Sequence, residues 1–150
     1  MTPTPTRAGD ADLPAHCVTR HSFRVRFFET DLMGIVHHAA YLTYAEAARV
    51  EYLRRRGAEY RALTESGIHM PVVEAQLEYR RAARFDDLLD VDCRLGALTR
   101  VTVRFDCEIF RAGELLTRVS VRLACVDAAH RPRRMPADLD TLLRAPESDA

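Results

Sequence analysis

Hydrophobic and polar positions change period several times along this 150-residue chain. From His21 to Phe28, Phe23, Val25 and Phe27 alternate with Arg24 and Arg26, the two-residue period of a half-buried strand. Glu29 to Val36 carries no period and reads as a loop. From about His38 to Arg56, Tyr41, Tyr44, Ala45, Ala48 and Tyr52 recur at spacings of three and four, which gives a helix one apolar stripe. Arg54, Arg55 and Arg56 fall in its last turn, where cations oppose the negative end of the helix dipole, and Gly57 can take the left-handed stop conformation. The start, Val36-His37-His38-Ala39-Ala40-Tyr41, offers no Ser, Thr, Asp or Asn. The first amides of this helix are therefore expected to lack a side-chain acceptor.

A second, shorter helix or turn is predicted over Ala58 to Glu65, and four alternating strands follow. Val73, Ala75, Leu77 and Tyr79 form one apolar face; Leu89, Val91, Cys93 and Leu95 the next; then Val101, Val103, Phe105, Cys107 and Ile109; then Val119, Val121, Leu123 and Cys125. Short links at Gly96 to Arg100 and Arg111 to Gly113 suggest hairpins. Pro136 to Arg144 suggests a last short helix. Each strand has one apolar face, so one face of the sheet must cover something, and the only large amphipathic partner is the long helix. The expected fold is α+β: a five-stranded antiparallel sheet curled around one long central helix. The Thr-Pro-rich start predicts a disordered tail over 1–17, one domain over 18–144, and a C-terminal tail over 145–150.

Charge narrows the function classes. The chain has 22 basic and 22 acidic residues, and every basic residue is arginine. A neutral chain is a poor general binder of nucleic acid, which rewards a surplus of cations. Any anion site must use guanidinium forks or backbone amides. The first 14 residues contain no apolar core of a secretory signal, and no window is long and apolar enough to span a membrane, so a cytoplasmic location is expected. Cys17, Cys93, Cys107 and Cys125 show no C-x-x-C spacing and read as small core residues.

The densest polar and aromatic cluster lies between the first strand and the long helix, from Arg26 to Tyr41. Glu29-Thr30-Asp31, Gly34-Ile35-Val36, His38 and Tyr41 stand there in a pattern that resembles hot-dog-fold thioesterases of the 4-hydroxybenzoyl-CoA type, including the Tol-Pal-associated acyl-CoA thioesterases. The resemblance continues in Glu46, Arg49 and Glu51, in Pro71 to Glu74, in Tyr79 to Asp87 and in Arg131-Pro132, and covers about residues 20–140.

The resemblance implies an acyl-CoA thioesterase with no cofactor and no metal. It makes Asp31 the catalytic carboxylate, as nucleophile or as base for water. It makes the His38 amide an oxyanion donor and its ring an assistant. Glu46 is a candidate second acid. Gly34, Ile35, Val36 and Tyr41 are expected to bind substrate, and Arg80, Arg81 and Arg84 to hold its phosphates. Phe27 stands where some relatives carry a tyrosine, so that hydroxyl is missing here. The resemblance also implies a homo-oligomer, a dimer or a tetramer, with the site between subunits. Residue by residue, plainer alternatives stay open: Asp31 as a turn aspartate, Glu46 as a solvated helix glutamate, the arginines as a solubilising surface. Two other functions also stay open: a thioesterase for acyl carrier protein, and a non-catalytic hot-dog module that binds acyl thioesters.

Overall fold

The computed structural model describes residues 13–148. Five strands form one antiparallel sheet: β1 (Val18–Arg24), β2 (Val72–Tyr79), β3 (Leu88–Leu98), β4 (Thr102–Arg111) and β5 (Glu114–Ala124). Their spatial order is β1-β3-β4-β5-β2. The helices are α1 (Ala40–Arg54), α2 (Tyr60–Glu65) and α3 (Ala137–Leu143). This is the α+β arrangement that the alternation of strands around one long helix predicts.

The core is the meeting of two patterns. The α1 stripe, Tyr41, Tyr44, Ala45, Ala48 and Tyr52, is buried throughout, with Leu53 beside it. Facing it are the alternating residues of the central strands, among them Val91, Cys93, Leu95, Phe105, Ile109, Val121 and Leu123, also buried. Each large side chain buried this way contributes about 1.5–3 kcal/mol. All four cysteines are free and buried, and Cys93 stands directly across from Cys107. Burial pushes the Cys93 thiol well up, which suits a packing role.

Several boundaries differ from the sequence reading, each for a physical reason. The first strand begins at Val18 and ends at Arg24, and Phe27 and Phe28 are 76% exposed in a short 3-10 turn, Phe27–Glu29. Glu29 reaches back to accept the Arg26 N–H at 2.7 Å and winds the chain out of the sheet, which breaks the alternation after Val25. Gly96 lies inside β3 rather than in the following link, at a register shift between Leu95 and Ala97. A Cβ at this position would collide with the Asp106 carboxylate on the neighbouring strand. The β4–β5 link is Ala112-Gly113, both at positive φ (48° and 80°), the tight turn that suits the twist of a hairpin. The apolar face of β2 is largely uncovered: Val73 and Tyr79 are about half exposed, and Leu77 packs against the core.

α1 ends as its sequence predicts. Ala58 N–H bonds to Leu53 O and Gly57 N–H to Arg54 O, with Gly57 at φ 86°. Arg56 does more than complement the dipole. It is buried, and its guanidinium donates to Thr19 Oγ1 (2.7 Å), Tyr52 O (3.0 Å), His16 O (3.1 Å), Val18 O (3.3 Å) and Ala145 O (2.8 Å). It also lies over the Tyr52 ring at 3.5 Å. Residues 1–12 of the expected N-terminal tail lie outside the described residues. From Pro14 onward the chain is tied down, with Cys17 fully buried. Ala145 to Ser148 are held in the same way, through Arg56 and through Ser148 N–H to Arg55 O.

Glu29 is the other buried charge at a strand end. It is 5% exposed, bonded by Arg26 N–H and guanidinium and by Tyr44 Oη–H at 3.1 Å. Burial works against its charge, but these donors outweigh burial and hold the carboxyl below its ordinary value. Burial, then the Glu29 charge, pushes the Tyr44 hydroxyl well up.

Two stability predictions follow from these ties. Arg56→Ala, which strands several carbonyls at once, is expected to cost about 3 kcal/mol in urea unfolding, and Arg56→Lys, which keeps charge but not the fork, less. A carboxylate with a depressed folded pKa stabilises fully above its unfolded value and loses that contribution as pH falls through the folded one. Unfolding free energy should therefore fall below about pH 4.5 in part through Glu29. Glu29→Gln should be less stable at pH 7 and show a flatter acid limb in the same titration.

Candidate active site

The loop Asp31 to Ile35 leaves the fold between two residues that pair, because Thr30 and Val36 form an antiparallel bridge. Next to that bridge, His37 N–H donates to Glu29 O at 2.8 Å. The loop is closed on itself: Asp31 N–H donates to Ile35 O and Gly34 N–H to Asp31 O, both at 2.9 Å. Gly34 sits at φ 76°, which a side chain would strain, so glycine is required for the reversal. Asp31 is half-buried at the loop's base. Its Oδ1 accepts the Met33 N–H at 2.8 Å, and its Oδ2 has no partner among the described residues. One oxygen fixes the carboxylate and the other is left for chemistry.

α1 starts at Ala40, two residues later than the stripe predicts, and no Ser, Thr, Asp or Asn caps it. Its first turn is not without a side-chain acceptor, however. His37 Nδ1 accepts the Ala39 N–H at 3.1 Å, so His37 does the capping. The two adjacent histidines lie just before the helix. Their rings lie together with centroids 4.1 Å apart. Both are exposed. The His38 N–H has no hydrogen-bond partner among the described residues.

The β2–β3 connection carries Arg80, Arg81 and Arg84 to this place. Ala83 fixes it: Ala83 O accepts Val36 N–H at 2.8 Å, and Ala83 N–H donates to Tyr41 Oη at 3.2 Å. Phe85 meets Phe27 edge-on at 5.7 Å. Within this group Arg80 is paired with Glu78 and Arg81 with Glu114, whereas the Arg84 guanidinium makes no hydrogen bond or close ion pair among the described residues and acts on Asp87 only through its charge. Leu32, Met33, Phe27, Phe28 and Phe85 are exposed around the loop, an apolar rim.

Not every residue expected at the site reaches it. Val36 and Tyr41 are buried (3% and 2% exposed), so within one chain they support the loop and offer a ligand no surface. Glu46 is exposed on the outer side of α1, and no hydrogen bond or ion pair joins it to Asp31 or His38 among the described residues. Arg134 lies elsewhere, with Arg100 and Arg144 in an open groove of about 790 Å³ at the far end of β3. At about 3.3 Å per residue, the length of β3 separates the two ends by about 33 Å. Sequence reasoning missed Glu29 as the buried carboxylate behind the loop, and it missed Tyr79, whose hydroxyl donates to His38 O at 2.8 Å. The signal for Tyr79 was a tyrosine rather than a phenylalanine closing an apolar strand face.

Comparison with known proteins places this geometry. Residues 25–143 match the family model of the thioesterase-like superfamily. The acyl-CoA thioesterase YbgC of Haemophilus influenzae is 35% identical over 105 residues, 69% of this chain and 77% of that protein. Among solved structures, a hypothetical protein, TT1821, from Thermus thermophilus is 37% identical with a TM-score of 0.80, covering 84% of this chain and 95% of that one. A DHNA-CoA thioesterase from Staphylococcus aureus is 27% identical with a TM-score of 0.80, covering 83% and 87%. Matched along most of its length in sequence and in structure, this chain belongs to the thioesterase-like superfamily and has its hot-dog fold.

Proposed function

We propose that this hydrolase of acyl-CoA thioesters works through Asp31, with the His38 N–H as oxyanion donor. One observation carries the reading. A carboxylate oxygen and a backbone N–H, both without partners among the described residues, stand at either end of one short loop held rigid by Thr30–Val36 and Glu29–His37. The carboxylate oxygen either attacks the thioester carbonyl or takes a proton from a water that does. In both routes the carbonyl oxygen gains negative charge, which a fixed N–H stabilises. Collapse of the tetrahedral species breaks the C–S bond and releases the thiolate. By the first route an Asp31 mixed anhydride remains for water to open; by the second the carboxylic acid leaves directly.

The exposed His38 ring, which lies against the His37 ring, can hydrogen-bond the departing sulfur. Arg84, the member of its group without a close ion pair, is the strongest candidate for a substrate phosphate, and Arg80 and Arg81 can join by releasing their exposed carboxylate partners, since such pairs are weak. Gly34 and Ile35 border the thioester, and the apolar rim suits an acyl group. Glu46 enters the reading only if a second copy brings it to the site. An uncovered edge strand supports such an oligomer, because β2 presents unpaired backbone groups and half-exposed Val72, Val73 and Tyr79. Substrates built on coenzyme A support a cytoplasmic place of action.

Three outcomes test the reading. On a panel of acetyl- to stearoyl-CoA plus benzoyl-CoA, the wild type should hydrolyse at least one member, and Asp31→Asn should lower kcat by about a hundredfold or more. Equal activity in Asp31→Asn removes Asp31 from the mechanism, and a silent panel points to a carrier-protein thioester or a binding module. Arg84→Gln should raise KM for an acyl-CoA several-fold and leave KM for the same acyl-pantetheine unchanged. Sedimentation velocity should show a dimer or larger, and a charged residue at Val73 should dissociate it.

A further inference from the structure

We infer that Tyr79 is a positioning residue for thioester hydrolysis, its hydroxyl holding the His38 carbonyl and so setting the direction of the His38 N–H. The inference rests on the reading of that N–H as the oxyanion donor.

In a regular helix start, the His38 carbonyl would accept from the amide four residues on. Here Leu42 N–H bonds to Ala39 O at 3.2 Å instead, and Ala40 N–H bonds to His37 O at 2.9 Å. The His38 carbonyl is thus turned out of the helix ladder. Its acceptor capacity goes to Tyr79 Oη–H at 2.8 Å, and the His38 N–H makes no bond among the described residues. The whole backbone of residue 38 is therefore held by one side-chain hydroxyl and by its two chain neighbours.

Tyr79 is itself well braced. It is the last residue of β2, in register with Thr117 of β5, and the next two amides, Arg80 and Arg81, both donate to Leu116 O. Its ring meets the Tyr41 ring edge-on, 5.5 Å between centroids at 71°. Tyr41 in turn is fixed by Ala83 N–H. Partial burial, then Tyr41, raises the Tyr79 pKa, so the phenol stays a donor across the neutral range. A rigid strand end thus reaches across and pins the one turn that the helix leaves unpinned. Misplacing a catalytic donor by a fraction of an ångström to an ångström lowers rate far more than binding.

Tyr79→Phe keeps the ring contact and deletes only the donor. Tyr79 is 50% exposed, so water can reach the freed carbonyl and the fold should not suffer. Using the faster of butyryl-CoA and benzoyl-CoA, kcat should fall about tenfold, with KM within twofold and the thermal midpoint unchanged. The His38 amide resonance should shift and its hydrogen exchange quicken. Asp31→Asn is run alongside. Wild-type kcat in Tyr79→Phe, with Asp31→Asn inactive, overturns the inference and leaves the site reading intact. A fall in kcat matched by higher KM and a lower midpoint also overturns it, since that is general loosening. Wild-type kcat in Asp31→Asn overturns the site reading and this inference with it.

Discussion

Three tyrosines on one face of α1 organise the molecule. A buried phenol brings a large apolar ring and one hydroxyl that must find a partner. Tyr41, Tyr44 and Tyr52 all lie beneath the sheet, and each hydroxyl finds its partner in a different segment. Tyr52 donates to Leu143 O of α3 at 2.6 Å, Tyr44 donates to Glu29 at the exit of β1, and Tyr41 accepts from Ala83 in the β2–β3 connection. The helix therefore does not merely fill the sheet's concave side. It fixes, by single directional bonds, three segments outside the sheet. Two of those pieces flank Asp31 and carry Arg84, so the apolar stripe and the candidate site are one construction.

This explains why the start of α1 tolerates so little conventional capping. The first turn is held from outside, by Ala83 against Val36 and Tyr41, by Glu29 O against His37, and by Tyr79 against His38. A Ser or Asp at the cap would occupy the free amides, whereas His37 Nδ1 takes only that of Ala39. Rigidity supplied by neighbouring segments leaves a directed, unpartnered N–H at His38, which an ordinary capped helix would not have. The far end shows the opposite solution. There Arg56 satisfies carbonyls of the helix, β1 and the chain's last residues at once, and no group is left free to react.

The elements that rest on a period were legible. The α1 stripe, its stop at Gly57 and the alternation of β3, β4 and β5 follow from side-chain direction alone, which the sequence writes out directly. Asp31 was singled out by the family pattern around it, not by any period. What could not be read were contacts between residues far apart in the chain. Locally Tyr79 shows only a hydroxyl at the end of an apolar face; the pairing of β2 with β5 is what brings it to His38. The strand reading ran on through Phe27 because the alternation does, and the local bond from Arg26 N–H to Glu29 ends it.

Charge completes the argument. A neutral chain with arginine as its only cation hides an uneven distribution. On the outer face of the sheet four guanidiniums are paired across strands or along them: Arg20 with Asp92, Arg104 with Asp106, Arg118 with Glu108, Arg122 with Glu74. Each exposed pair is worth little in stability, about 0–1 kcal/mol. Their combined effect is to cancel the field of that face, so it offers no sustained attraction to a polyanion. Beside the loop the pattern changes. Arg111 is spent holding Asp87 and Ala82 O, and that bond keeps the β2–β3 connection in place. Arg84, three residues from Asp87 in the same segment, has its backbone N–H on that aspartate and its guanidinium in no hydrogen bond or close ion pair among the described residues. A paired arginine thus fixes the backbone from which one without a close ion pair projects.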